Sequence, residues 1–315
     1  MTSTKPDVLM IGPYPDWDMA DLDARYRLHR LWEAPDRDRM IDANRNTIQA
    51  IATRGELGAS AELMKRLPAL KIISCYGVGT DAIDLAYAKA NGIRVTNTPD
   101  VLTDDVADMA VGLLLAVARK IPAADRFVRQ GSWVEGSMPL VTKVSGKRVG
   151  VAGMGRVGAA VARRLAAFDC VISYFDIAQR PDLPHEFVAD LTALARSSEF
   201  LIVTLAGGET TQAIVDANVL DALGPDGILI NVSRGSTVDE TALLHALDAG
   251  TIKGAGLDVF WNEPGIDPRF RDFNHVVLQP HHASGTLETR QAMGKLVRDN
   301  LAAHFSGAAL ITPVV

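Results

Sequence analysis

The stretch K-R-V-G-V-A-G-M-G-R-V-G, residues 147–158, decides the fold. A short apolar run, Val149 to Ala152, leads into Gly153, Gly155 and Gly158, and an alanine-rich helical pattern follows. In a strand–turn–helix each glycine has its own task. Gly153 allows the tight turn out of the strand, Gly155 lets a pyrophosphate approach the backbone, and Gly158 removes the side chain that would hold helix and strand apart. The N–H groups of Arg156 and Val157 open the helix and face the phosphates, with the positive end of the helix dipole behind them. A second strand, Val171 to Phe175, ends in Asp176. That acidic residue stands where a ribose-binding carboxylate is expected, roughly 20 residues downstream. Glycine-rich turns are common in purely structural settings, and the flanking strands and the acidic residue favour a dinucleotide site here.

A length of 315 residues points to two domains, and a hydrophobic share of 48% is enough for sizeable cores. The net charge of −6 argues against a nucleic-acid surface. Two cysteines, Cys75 and Cys170, sit in apolar strand-like runs and read as small buried hydrophobes. With no C-x-x-C and no cysteine/histidine cluster, no metal site is expected. The opening M-T-S-T-K-P-D has no apolar signal core, and no run approaches the roughly 18 residues of a membrane span. These features predict a cytoplasmic protein without a membrane partner.

Upstream of the glycine turn, strand-like runs at Val8–Ile11, Ile48–Ala52, Lys71–Cys75 and Ile93–Thr96 alternate with helical patterns at Met19–Tyr26, Ser60–Leu67 and Ala82–Ala90. Such alternation predicts a parallel sheet covered on both faces. This unit has its own glycine pair in Y-G-V-G-T-D, residues 76–81, which lacks the third glycine of a dinucleotide turn but offers bare N–H groups to an anion. Thr103 or Asp104 caps a long apolar helix beyond Pro99. A Gly/Pro-rich loop at 131–146 then carries exposed-looking Trp133, Met138 and Leu140, suited to local packing or to a partner subunit. From 147 onward, six strands (ending with Val276–Leu278) and short crossovers fit a Rossmann arrangement, and a terminal helix, Leu287–Phe305, leads back to the first domain.

Ligands of open α/β sheets bind beyond the carboxyl ends of the strands. After Ile228–Val232 comes Ser233-Arg234-Gly235; after Gly254–Val259 comes Phe260-Trp261-Asn262-Glu263-Pro264; after Val276–Leu278 comes Gln279-Pro280-His281-His282. Each residue type meets a need of hydride transfer to a 2-oxo acid. Arginine offers a planar fork to a carboxylate and polarises a carbonyl. Histidine delivers a proton at neutral pH, and glutamate holds the imidazole and favours its charged form. Singly, each has an ordinary reading as a surface cap, a turn carboxylate or a structural histidine. At successive strand ends the three make a site.

These residues resemble the D-specific 2-hydroxyacid dehydrogenases, most closely the glyoxylate/hydroxypyruvate and hydroxyphenylpyruvate reductase branch. The resemblance covers nearly the whole chain after about residue 48. It rests on Y-G-V-G-T-D, N-T-P-D-V-L-T-D-D-V-A-D, G-M-G-R-V-G, I-N-V-S-R-G, G-A-G-L-D-V-F-W-N-E-P and P-H-H-A-S-G-T. It implies that Arg234 binds and polarises substrate, that His281 (which directly follows the proline) is the acid/base, and that Glu263 is its partner. It further implies that the backbone of Val78 and Gly79 holds the substrate carboxylate. Thr103 and Asp258 match positions at the nicotinamide end of the cofactor, and Val232, closing its strand, is counted with them. The loop of Trp133 and Met138 is similar to one that closes the neighbour's site in a homodimer. The expected fold is α/β, with two Rossmann-like doubly wound domains. Residues 1–98 with 287–315 form a discontinuous, flavodoxin-like substrate domain, and residues 99–286 an inserted dinucleotide-binding domain.

Two departures bear on specificity. Arg54 stands where close relatives carry an uncharged residue, and either adds a contact to an acidic substrate or points to solvent. Relatives that use NADP place a small polar residue and then arginine after the second strand, whereas Asp176-Ile177 stands here. Two like charges at about 4 Å are worth roughly 4 kcal/mol at an effective dielectric near 20, so a carboxylate there favours NAD over NADP. Arg180 softens this preference. The expected activity is NAD(P)H-dependent reduction of glyoxylate, hydroxypyruvate or an aryl pyruvate to the D-2-hydroxy acid. The alternative is a dinucleotide-sensing binding protein like the corepressor relatives of the family.

Overall fold

The computed structural model describes residues 5–315, which divide into two compact units. One comprises the described residues through Leu102 together with Thr286–Val315; the other is Thr103–Gly285.

The first unit runs β1 (Asp7–Met10), α1 (Asp16–Arg25), β2 (Arg27–Arg30), α2 (Arg37–Asn44), β3 (Ile48–Arg54), α3 (Ala61–Lys65), β4 (Ile72–Tyr76), α4 (Leu85–Ala90) and β5 (Arg94–Thr96). Its five parallel strands lie in the order β2-β1-β3-β4-β5, the flavodoxin-like order of doubly wound sheets. The central strands β1 and β4 are buried along their whole length, as a sheet covered on both faces requires. Helices α2, α3 and α4 start on side-chain caps, with Asp36, Ser60 and Asp84 accepting from Arg39, Leu63 and Tyr87 N–H respectively. The C-terminal helix, Leu287–Ser306, belongs to this unit, and the Tyr76 hydroxyl at the end of β4 donates to its Arg290 carbonyl at 2.6 Å. Buried Asn300 then ties the helix to the last residues, accepting from Ile311 and Thr312 N–H. Strand β2 and helix α2 were not expected. The strand R-L-H-R is polar and lies at the sheet edge, so it carries no apolar run.

The second unit opens with α5 (Thr103–Ala118) and α6 (Ile121–Arg129), then β6 (Arg148–Ala152), α7 (Arg156–Ala166), β7 (Val171–Phe175), β8 (Glu186–Phe187) and α8 (Leu191–Ser197). It continues with β9 (Phe200–Val203), α9 (Ala217–Leu223), β10 (Ile228–Asn231), α10 (Glu240–Ala249), β11 (Gly254–Leu257) and β12 (Val276–Leu278). Its seven strands are parallel, in the order β12-β11-β10-β9-β6-β7-β8. This is the Rossmann order with one added strand, reversing between β6 and β9. Seven strands replace the six expected because β8, two residues at the edge, is too short to register as a pattern. The glycines of β11 have a packing cause: a Cβ on Gly256 would lie 2.8 Å from Ile230 Cδ1 and 3.0 Å from Leu113 Cβ, so α5 seats close to the strand.

The residues after α5, for which no element was expected, form a further amphipathic helix, α6, with none of its residues buried. One reading needs correcting. Cys170, expected to be a buried hydrophobe, is only partly buried and precedes β7, whereas Cys75 is buried within β4. Among the described residues no helix is long and apolar enough to cross a membrane.

Candidate active site

The glycine turn between β6 and α7 lies where the strand order reverses, the crevice that binds ligands in such sheets. Gly153 has φ +99°, and a Cβ there would stand 2.7 Å from Leu205 N. A Cβ on Gly158 would overlap the Gly153 carbonyl oxygen, so only glycine lets α7 seat against the strand. Gly155 differs: a Cβ on it would meet nothing, which leaves open space over the backbone. No side chain caps α7. Its first-turn N–H groups, beginning with Arg156 and Val157, lie at the edge of that space, a cradle that fits a pyrophosphate. The half-buried Asp176 carboxylate accepts from Met154 N–H at 2.7 Å and from Ile177 N–H at 2.7 Å. Each oxygen keeps a lone pair for a ribose hydroxyl while the residue also clamps the turn.

At the other side of the sheet β10, β11 and β12 end in register, with Asn231 beside Leu257 and Leu257 beside Leu278. The loops leaving them bring Arg234, Glu263 and His281 together. His281 Nδ1 lies 2.6 Å from Glu263 Oε2, and Glu263 Oε1 accepts from Phe260 N–H at 2.8 Å. Burial raises the Glu263 carboxyl, but the hydrogen bonds from His281 and Phe260 and the nearby Arg234 guanidinium outweigh it and hold it below its usual range. Glu263 is therefore ionised at neutral pH, with one oxygen fixing the ring. The bond at Nδ1 leaves Nε2 as the nitrogen able to pass a proton to a ligand.

Asp258 and the residues around Arg234 form the support. Asp258, 1% exposed, accepts from His282 N–H at 2.7 Å and Ala283 N–H at 3.0 Å, and its carbonyl accepts from His281 N–H at 2.8 Å. These bonds hold His281 at φ +51°. The Arg234 carbonyl accepts from Asn231 Nδ2 at 3.0 Å and from the Thr237 hydroxyl at 2.7 Å, while Asn231 Oδ1 accepts from Ser233 N–H. Asn231, Ser233 and Thr237 are all buried. Gly235 is required because a Cβ there would overlap the Phe260 carbonyl carbon, so the arginine loop could not approach the loop that bears Glu263. Sequence reasoning missed Asn231, Ser233, Thr237 and Gly235. The available signal was a buried polar pair at the end of an apolar strand.

The remaining residues fall in two places. Val232 is buried at the end of β10, where its N–H donates to Val203 O, and Thr103 opens α5. In the first unit Val78 is exposed, and neither it nor Gly79 commits its N–H to a hydrogen bond among the described residues. Arg54 ends β3, and its Nε lies 2.6 Å from Glu56 Oε1.

A Rossmann sheet, a glycine cradle fitted to a pyrophosphate and an imidazole–carboxylate couple with an arginine define a dinucleotide-dependent oxidoreductase. Residues 111–283 match the family D-isomer specific 2-hydroxyacid dehydrogenase, NAD binding domain. The chain is 47% identical over 308 residues to a glyoxylate/hydroxypyruvate reductase of Arabidopsis thaliana, covering 98% of each. A solved 2-hydroxyacid dehydrogenase of Ketogulonicigenium vulgare is 56% identical with a TM-score of 0.93, covering 99% of both chains. The NADPH-dependent glyoxylate/hydroxypyruvate reductase of Sinorhizobium meliloti, solved with NADP and malonate, is 44% identical with a TM-score of 0.93, covering 99% of this chain and 97% of its own. The chain belongs to the D-2-hydroxyacid dehydrogenase family and is an NAD(P)-dependent enzyme.

Proposed function

We propose that the protein reduces small 2-oxo acids, such as glyoxylate, hydroxypyruvate or an aryl pyruvate, to D-2-hydroxy acids. The observation that carries this reading is the 2.6 Å contact between His281 Nδ1 and Glu263, beside an arginine whose charge acts on the same carboxylate. A nicotinamide dinucleotide, when bound in the glycine cradle, would supply the hydride for reduction at the 2-carbon of the substrate. Arg234 orients the carboxylate and polarises the 2-oxo group, which concentrates positive charge where the alkoxide develops. His281, held at Nδ1 by Glu263, gives a proton from Nε2 to that oxygen. Val78 and Gly79 offer their N–H groups to the carboxylate, and Arg54 adds a second cation for acidic substrates. Gly153, Gly155, Arg156, Val157 and Gly158 take the pyrophosphate, Asp176 the ribose, and Thr103, Val232 and Asp258 the nicotinamide end. Residues 1–98 with 287–315 serve the substrate and residues 99–286 the dinucleotide. With a carboxylate at the ribose, NAD is preferred over NADP.

We place the enzyme in the cytoplasm as a homodimer with no nucleic-acid partner. Trp133 (68% exposed) and Leu140 (100% exposed) support a subunit contact, and a Trp133→Glu variant eluting as a monomer would bear this out. The decisive experiment follows absorbance at 340 nm with glyoxylate, hydroxypyruvate and hydroxyphenylpyruvate and each reduced cofactor. His281→Ala should lower kcat by about 10²-fold or more. No turnover on any of these acids despite cofactor binding would overturn the reading in favour of a sensor, and normal turnover by His281→Ala would remove the histidine from the mechanism.

A further inference from the structure

The outer edge of the dinucleotide cradle carries three charges in seven residues, Asp176, Arg180 and Asp182. Between the first two lies I-A-Q, uncharged, with Ile177 95% exposed, so Arg180 is the first cation after β7. Its backbone is fixed to the strand: Arg180 N–H donates to the buried Tyr174 hydroxyl at 2.7 Å, and that hydroxyl donates to the Arg180 carbonyl at 3.3 Å. The guanidinium reaches back to the glycine turn, where Nη1 donates to the Met154 carbonyl at 3.3 Å. Met154 is also the residue whose N–H the Asp176 carboxylate accepts. Arg180 and Asp176 therefore grip opposite sides of one residue, and the arginine stands beside the carboxylate assigned to the ribose.

The arginine is not available as it stands. Its Nε and Nη2 make a two-pronged bond to Asp182, at 2.9 Å and 2.8 Å. A 2′-phosphate needs that same fork and carries charge of the same sign as Asp182. A ribose with a free 2′-hydroxyl needs neither. We propose that Asp182 is a specificity-determining residue, which disfavours NADPH by occupying the Arg180 guanidinium that would otherwise receive the 2′-phosphate. The proposal rests on the dinucleotide reading above and adds a mechanism for its cofactor preference. Asp182 acts through Arg180 and touches no part of the reaction, so it is a positioning residue. The pair is solvent-exposed, with side-chain exposures of 45% and 59%, which keeps the expected effect modest and sensitive to salt.

The test is direct titration of NADH and NADPH fluorescence without substrate, on wild type, Asp182→Asn, Arg180→Ala and the double variant, each checked for an unchanged melting temperature. Asp182→Asn should tighten NADPH by about fivefold and leave NADH within about twofold. Arg180→Ala should weaken NADPH alone, and in its background Asp182→Asn should give less than half of that gain. An Asp182→Asn variant with an unaltered NADPH-to-NADH ratio overturns the proposal and leaves the dinucleotide reading intact. An equal gain with and without Arg180 also overturns it, because the aspartate would then act by bare repulsion. Binding of neither nucleotide by wild type overturns the dinucleotide reading and this proposal with it.

Discussion

Two glutamates of the second unit, Glu199 and Glu263, share almost the same local physics and sit at opposite ends of one sheet. Their side chains are 23% and 26% exposed. Each has one oxygen near a side-chain nitrogen, Lys147 Nζ at 2.5 Å or His281 Nδ1 at 2.6 Å, and the other on a backbone N–H, Arg148 or Phe260. In both, burial raises the carboxyl and the hydrogen bonds more than reverse it, so both lie below the usual range. Two things differ. Glu199 precedes β9, at the amino ends of the strands, while Glu263 follows β11, at the carboxyl ends where ligands bind. The partners also differ in kind: Lys147 brings an ammonium with three donors, whereas His281 brings an imidazole, the side-chain type suited to passing protons near neutral pH. On the proposed reading, the same carboxylate device is structural at one end and serves the proton donor at the other, and its partner and its end of the sheet decide which.

The sharpest way to break that contrast is Glu263→Gln, which keeps the shape and removes the charge. We expect kcat/KM for 2-oxo acid reduction to fall about 10²-fold at neutral pH, because the ring loses both its fixed orientation and the charge that favours imidazolium. Thermal stability should fall by no more than the roughly 1 kcal/mol expected for the matching change at Glu199. The depressed pKa of Glu263 also sets the acid limit: the pair persists above the folded value and is lost as pH falls through it, so the midpoint of any rate loss from protonating Glu263 should lie at more acidic pH than that of an ordinary glutamate. Steady-state kinetics across pH on both proteins check this. Near-normal turnover by the variant would make Glu263 as structural as Glu199.

Glycines at the carboxyl edge give the next contrast. Gly235→Ala places a Cβ 2.5 Å from Trp261 N, and backbone there cannot yield without moving the Glu263 loop. A loss of about 1–3 kcal/mol in stability, together with a fall in kcat, is expected. Gly155→Ala should do the opposite. Its φ of −71° suits alanine and its Cβ would meet no atom, so the melting temperature should hold while affinity for either nucleotide weakens by about tenfold. Calorimetry and nucleotide titration separate the two. A destabilised Gly155→Ala would mean that the open space over the turn is not there.

Much of this was legible in the chain because the signals were local. Three glycines at fixed spacing, and polar residues after each apolar run, located the cradle and put Arg234, Glu263 and His281 at neighbouring strand ends. The buried strands of both sheets read as continuous apolar runs, since both faces are covered. The losses had equally physical causes. Strands β2 and β8 lie at sheet edges, where apolar runs are not needed. Helix α6 shows a helical pattern but buries none of it, so nothing in the unit marks its apolar face as core. The hydrogen bonds that hold Arg234 come from Asn231 and Thr237, which look like ordinary polar residues until the loop folds back on the strand end. Arg180 was legible as a nearby cation, but its capture by Asp182 is a fact of side-chain geometry that spacing does not reveal.

Glu199→Gln is the smallest and most selective test of the opening contrast. The variant keeps an acceptor for Arg148 N–H and turns an amide NH2 toward Lys147, so it loses both the charge and the hydrogen bond of a pair partly open to solvent. The expected cost is about 1 kcal/mol, or a melting shift of roughly 2–4 °C for a unit of this size, with kcat and both KM values unchanged. Its pH dependence follows from the sign of the shift. A carboxyl whose folded pKa lies below the unfolded value contributes stability above the unfolded value and loses that contribution as pH falls through the folded one. The gap in melting temperature between wild type and Glu199→Gln should therefore be full at neutral pH and close progressively below pH 4.5. A gap that survived in full at about pH 3 would show that the charge is not its source. A fall in kcat at neutral pH would show that the amino end of the sheet is coupled to the chemistry, and the division of labour between the two glutamates would then be wrong.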